Sequence, residues 1–123
     1  MKKLFLTMCL TALLSTPAIA ACDGGTWSDD GKFCISNIFI NWWSAANWCK
    51  ANGMHLATMY EACPDWDGNE GTMICPVLSS SIQDYGLTST ASGSQQVYAV
   101  YLSSGNVSTI SRHSTNYRAL CTN

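Results

Sequence analysis

The chain has 123 residues, which fits one ordinary domain and excludes two. Hydrophobic residues make up 47% of it and charged residues only 11%, a composition that excludes a disordered chain and predicts a small folded domain. The formal net charge is −2, and no cluster of lysine or arginine follows the first three residues, which argues against nucleic acid or an anionic membrane as partner.

Residues 1–20 have the order of a secretory signal peptide. A lysine pair precedes an apolar run over residues 4–14, and small residues lead up to Ala20. The run is too short to span a bilayer. We therefore expect cleavage after Ala20, a domain over residues 21–123, and a secreted or periplasmic location.

The cysteine count supports export. Cleavage removes Cys9 and leaves an even number of cysteines, which predicts three disulfides in an oxidising compartment. An alternative remains at the cleavage site, where residues 19–22 resemble a lipobox and Cys22 would be lipid-anchored. That alternative would leave one thiol unpaired. The cysteines left after cleavage at Ala20 are Cys22, Cys34, Cys49, Cys63, Cys75 and Cys121.

The first half of the domain contains turn signals and one helical pattern. Residues 22–34 predict a hairpin, and a short strand over 35–40 follows. Apolar residues at helical spacing then predict a helix over 42–52, with Asn41 as its N-cap and Gly53 as its stop. Another short helical turn is expected between Met59 and Cys63, where a proline follows.

The second half is rich in residues that favour strands. After a loop bounded by Cys63 and Cys75, the pattern predicts four strands, of which the second is nearly all apolar and therefore central. These strands are expected over residues 85–90, 97–102, 107–112 and 117–121.

Several residues at fixed spacing carry a family resemblance. They are Trp42, Ala45, Trp48, Cys49, Gly53, Leu56, Ala57 and Glu61, together with the closing segment 118–121. This pattern resembles the C-type lectin-like domain family. The resemblance implies an α+β fold in which one main helix and a short second helix pack on small antiparallel sheets held by disulfides.

The resemblance also implies a disulfide pairing. In the family, the cysteine that ends the first helix bonds to the cysteine of the last strand, which implies Cys49–Cys121 here. Cys22–Cys34 and Cys63–Cys75 then follow. The chain lacks the Glu-Pro-Asn, Gln-Pro-Asp and Trp-Asn-Asp triplets of the family's calcium-dependent sugar binders, so we expect neither a metal nor a cofactor.

The Cys63–Cys75 loop contains the candidate ligand-binding residues. Trp66 lies between two aspartates, where it could form an exposed stacking platform for a sugar ring or could fold back over the small core. Carboxylates and an amide nearby could bind calcium, but their spacing does not fit the EF-hand pattern. The candidate residues are Asp65, Trp66, Asp67, Asn69 and Glu70.

No nucleophile, metalloprotease or phosphate-binding motif occurs, so we do not expect an enzyme. His55 and His113 have no ligand-spaced partner and are expected to be structural or exposed. The sequence predicts a non-catalytic module that binds a glycan or a protein at the cell surface or in the periplasm. A minor subunit of a surface appendage and a small secreted enzyme are the alternatives.

Overall fold

A computed structural model of the chain describes residues 21–72 and 74–123, so the predicted signal peptide over 1–20 lies outside the described residues. The described residues form an α+β domain with two helices, a sheet of mostly antiparallel strands and three disulfides. The predicted α+β class is therefore confirmed.

The predicted N-terminal hairpin is present. Strand β1 (Gly25–Trp27) pairs antiparallel with β2 (Cys34–Ser36). In the connecting turn, the Ser28 hydroxyl and then the Lys32 N–H donate to the Asp30 carboxylate, and these bonds lower the pKa of Asp30.

The strand expected over residues 35–40 ends early. Its paired part stops at Ser36, and the next five residues run without a strand partner to the first helix. Ile38 and Phe39 are half exposed there, so their hydrophobicity does not reflect burial in a sheet. Prediction of this strand was therefore correct only at its start.

Helix α1 spans Trp42–Ala51, as the apolar spacing predicts. The Asn41 side chain accepts a hydrogen bond from the Ser44 N–H at 2.9 Å, which confirms the expected N-cap. Asn52 caps the C-terminus, and Gly53 follows with φ of +76°, a conformation that glycine adopts without steric cost.

Two short elements follow α1. Strand β3 (His55–Leu56) leads into helix α2 (Met59–Ala62). Thr58 and Glu61 form a capping box at the start of α2, because each side chain accepts a hydrogen bond from the other residue's N–H.

The remaining strands agree closely with the predicted positions. They are β4 (Tyr85–Ala91), β5 (Gln96–Tyr101), β6 (Val107–Ser111) and β7 (Arg118–Thr122). Their order is β1-β2-β7-β4-β5-β6, and β3 also pairs with β7. Strand β7 thus lies between β2 on one side and β4 and β3 on the other, and only its pairing with β4 is parallel.

The sheet separates two groups of buried residues. Helix α1 covers one face, where Ala45 and Cys49 pack with Ala119 of β7. Helix α2 and the Cys63–Cys75 loop cover the other face, where Met59 packs with Leu120. Neighbouring residues of β7 therefore point into different cores, as the alternation of side chains along a strand requires.

Three disulfides form with the expected pairing. Cys22–Cys34 and Cys63–Cys75 each close a segment with a sequence separation of 12, whereas Cys49–Cys121 joins α1 to β7 across a separation of 72. The pairing implied by the family resemblance is confirmed.

Gly105 is a position where a side chain should be costly. Its φ is +81°, and an added Cβ would collide with the carbonyl oxygen of Cys75. We expect Gly105→Ala to lower the free energy of unfolding by about 2–5 kcal/mol, because backbone strain and overpacking add. Gly71 is the matched control, since its φ is +82° and no atom of the described residues lies near the added Cβ, so Gly71→Ala should cost only about 1–2 kcal/mol. If urea titrations show that the two variants lose the same free energy of unfolding, the collision with Cys75 does not contribute to the destabilisation.

Candidate functional site

The Cys63–Cys75 loop places its polar side chains in solvent. Asp65, Asp67, Asn69 and Glu70 are exposed, and the Asn69 N–H donates to the Asp67 carboxylate at 3.0 Å. No group of three or more His, Cys, Asp or Glu side chains within residues 21–72 and 74–123 is arranged to hold a metal ion. A ligand-binding role for these four residues stays a prediction.

Trp66 belongs to the same loop, but its side chain is buried. Its side chain is only 7% exposed, its ring lies 5.2 Å from Tyr60 and 4.6 Å from Tyr98, and its Nε1 donates to the Asn69 carbonyl oxygen at 2.9 Å. The ring covers the core on the α2 face of the sheet. Of the two alternatives for Trp66, packing back over the small core is therefore confirmed, and the ring is not an exposed stacking platform.

A different aromatic group lies at the start of α1. Trp42 and Trp43 are nearly perpendicular, with ring centroids 5.8 Å apart. Trp43 is 44% exposed and its ring contacts His113, whose centroid is 4.9 Å away. Two polar residues complete this group, which we call the Trp43 surface. Its members are Trp42, Trp43, Gln95, Arg112 and His113.

Backbone and side-chain bonds hold the Trp43 surface together. The Arg112 N–H donates to the Gln95 carbonyl oxygen, and the Trp42 N–H donates to the Arg112 carbonyl oxygen. His113 Nε2 lies 3.1 Å from Gln95 Oε1. Because the loop between β4 and β5, the end of β6 and the first turn of α1 all contribute, the group is fixed by three parts of the fold.

The Arg112 side chain is the main charge of this surface. Its Cζ lies 4.8 Å from the Trp42 ring centroid, in cation–π geometry. Its Nη2 makes one long bond of 3.5 Å to the Gly93 carbonyl oxygen, and its buried Nε has no hydrogen-bond partner among the described residues. The guanidinium thus retains donor capacity that the described residues do not use.

Trp42 also borders a cleft of about 340 Å³ between α1, β3 and β4. Its Nε1 donates to the Thr88 carbonyl oxygen at 3.0 Å, which fixes the ring as a wall of the cleft. Most of the side chains that line the cleft are apolar, and the others are a lysine, a histidine and a serine. The lining residues are Trp42, Ala46, Lys50, Met54, His55, Leu56 and Ser89.

His55 at the edge of this cleft is paired. Its Nε2 lies 2.9 and 3.0 Å from the two carboxylate oxygens of Glu61. Burial raises the pKa of the Glu61 carboxyl, but hydrogen bonds from the Thr58 N–H and from His55 outweigh it, so this pKa lies below its usual value. Glu61 is therefore committed to the α2 cap and to His55, and the structural role expected for His55 has a defined partner.

One sequence signal could have located the Trp43 surface. Adjacent helical residues point about 100° apart, so Trp42 and Trp43 cannot both face the sheet. The exposure of one of them follows from that geometry. The contribution of Gln95, Arg112 and His113 could not be predicted in the same way, because it depends on which loops meet the start of α1.

None of the helices in the described part of the chain has the length and apolar character needed to cross a membrane. Comparison of the chain with known protein families, with curated proteins and with solved structures yields no match in any of the three.

Proposed function

We propose that the chain is a secreted, non-catalytic recognition module of the C-type lectin-like kind, and that it binds a glycan through the Trp43 surface. The three disulfides indicate an oxidising extracellular or periplasmic location, where cell-surface glycans are accessible. The family resemblance of segment 42–61 supports the proposed fold family.

The observation that carries this proposal is the half-exposed indole of Trp43 beside hydrogen-bonding side chains. An exposed indole ring offers an apolar face to the C–H groups of a sugar ring. Gln95, Arg112 and His113 supply donors and an acceptor for hydroxyl groups around that face. A stacking ring bordered by fixed polar groups fits a sugar better than it fits a broad apolar protein contact.

The rigidity of the surrounding structure supports recognition of a ligand. Asn41 caps α1 immediately before Trp42, and Cys49–Cys121 fixes the other end of the same helix to the sheet. Binding by groups that are already held in position loses little conformational entropy. Specific binding at a small surface is therefore feasible in a domain of this size.

A glycan array tests the proposal directly. The purified domain should bind at least one class of glycan in the presence and absence of a calcium chelator, since no metal is part of the proposed surface. Trp43→Ala should weaken that binding by about tenfold or more, because one stacked ring contributes roughly 1.5 kcal/mol or more. Trp27→Ala is the matched control, since Trp27 is 41% exposed on β1 and should leave affinity unchanged.

Three results would contradict the proposal. If no glycan binds, the proposed glycan-binding function is wrong. If Trp43→Ala binds as tightly as the unchanged protein, the assignment of the Trp43 surface as the binding site is wrong. Loss of binding in Asn69→Ala, together with unchanged binding in Trp43→Ala, would place the contact in the Cys63–Cys75 loop instead. Circular dichroism should confirm that each variant is folded.

A further inference from the structure

The two arginines of the domain, Arg112 just after β6 and Arg118 in β7, differ in how their charge is satisfied. Arg118 Nε donates to the Asp84 carboxylate at 2.9 Å, and Arg118 Nη1 donates to the Ser36 carbonyl oxygen at 3.0 Å. The Arg112 guanidinium has no carboxylate partner among the described residues, and its one hydrogen bond to them is the 3.5 Å contact with the Gly93 carbonyl oxygen. Only Arg112 therefore combines a fixed guanidinium with an unmatched charge.

The positive charge of Arg112 is unpaired even though the chain has more acidic than basic residues. The chain has eight aspartates and glutamates against six lysines and arginines, so carboxylates are available for pairing elsewhere. The ion pairs found among the described residues instead join His55 to Glu61 and Arg118 to Asp84. Arg112 is thus left free to bind an anion from outside the domain.

From this contrast we propose that the glycan bound at the Trp43 surface is acidic and that its carboxylate is bound by Arg112. This inference rests on the function proposed above and specifies its ligand class. The terminal Nη1 and Nη2 atoms are the donors for this contact, because Nε is buried. A guanidinium matches a planar carboxylate with two parallel hydrogen bonds, which are stronger than bonds between neutral groups.

The position of Arg112 makes this contact compatible with stacking on Trp43. The guanidinium lies over Trp42, which is itself in edge contact with Trp43, and the next residue, His113, contacts the Trp43 ring. In the proposed complex, a single sugar that carries a carboxylate on its ring or beside it contacts both groups. One arginine that forms no ion pair with the described residues suits one carboxylate rather than the dense charge of a highly sulfated chain.

An array of matched glycans tests this inference. Uronic acid oligosaccharides and sialyllactose are compared with their methyl esters, which retain the sugar rings and remove the charge, and with lactose sulfate. We expect the acids to bind at least about tenfold more tightly than their esters, since a charge-assisted pair contributes roughly 1.5 kcal/mol or more. Raising the salt concentration should weaken binding of the acids and leave the esters unchanged.

Variants identify the residue responsible. Arg112→Gln should reduce the acid-to-ester preference to about one, and Arg112→Lys should retain part of it because the charge remains without the planar fork. Lys32→Gln is the matched control, since it removes one positive charge from the exposed β1–β2 turn and should retain the full preference. Retention of the preference by Arg112→Gln would overturn the assignment of Arg112.

The outcomes separate this inference from the proposed function. Equal binding of acids and esters, with loss of both in Trp43→Ala, would overturn the acidic ligand and leave the glycan-binding function intact. Binding of lactose sulfate but of none of the carboxylic acids would overturn the proposal that the ligand contributes a carboxylate. The absence of binding to any glycan would overturn both.

Discussion

Replacing Trp66 with alanine should lower the free energy of unfolding by about 3–5 kcal/mol, which is the usual cost of removing a buried tryptophan. The ring is packed against Tyr60 and Tyr98 on the α2 face of the sheet, and its Nε1 is bonded to Asn69. The substitution would therefore leave a cavity and an unpaired carbonyl oxygen in the same place.

Urea titration monitored by circular dichroism measures this loss. Trp27→Ala is the comparison, because Trp27 is 41% exposed and its removal should cost less than about 1 kcal/mol. A loss of less than 1 kcal/mol for Trp66→Ala would contradict the burial of its ring and would restore Trp66 as a candidate contact for a ligand.

Removal of the Cys49–Cys121 disulfide is the second change with a large expected effect. On the chain-entropy model, a bridge across 72 residues contributes about 4 kcal/mol, and a bridge across 12 residues contributes about 3 kcal/mol. The double variant Cys49→Ala/Cys121→Ala should therefore lose about 4 kcal/mol, with an added loss because both positions are fully buried.

The double variant Cys63→Ala/Cys75→Ala provides the comparison for this experiment. It also removes a disulfide with buried cysteines, but the bridge closes a much shorter segment. Chemical unfolding of both variants under the same conditions should rank the Cys49–Cys121 variant as the less stable. The reverse ranking would mean that the bridge between α1 and β7 is not the main covalent constraint on the domain.

Local signals explain why much of the secondary structure was predictable. The Asn41 cap and the Gly53 stop are short-range features that define α1 before any tertiary contact is considered. The apolar residues of β5 and the turns on either side of it defined that strand in the same way. The disulfide pairing came from the family resemblance, because spacing alone left several connectivities open.

Whether each tryptophan is exposed or buried was less predictable. Trp66 lies between two aspartates, and the local sequence left both exposure and packing over the core open. The ring is buried because it covers the α2 face of the sheet. Trp43 became the exposed ring because Trp42 of the same helical turn bonds to Thr88 and packs against the sheet. Both outcomes depend on tertiary contacts between segments distant in sequence.

The position of β7 has a consequence for biosynthesis. This strand contains residues 118–122, yet it is the one that joins β2 to β4 and β3. The β1–β2 hairpin and the β4–β5–β6 strands can each pair among themselves, but they join into one sheet only after residues 118–122 have been synthesised. The two parts of the sheet are thus joined by one short strand, and a change that weakens β7 should separate them rather than fray one edge.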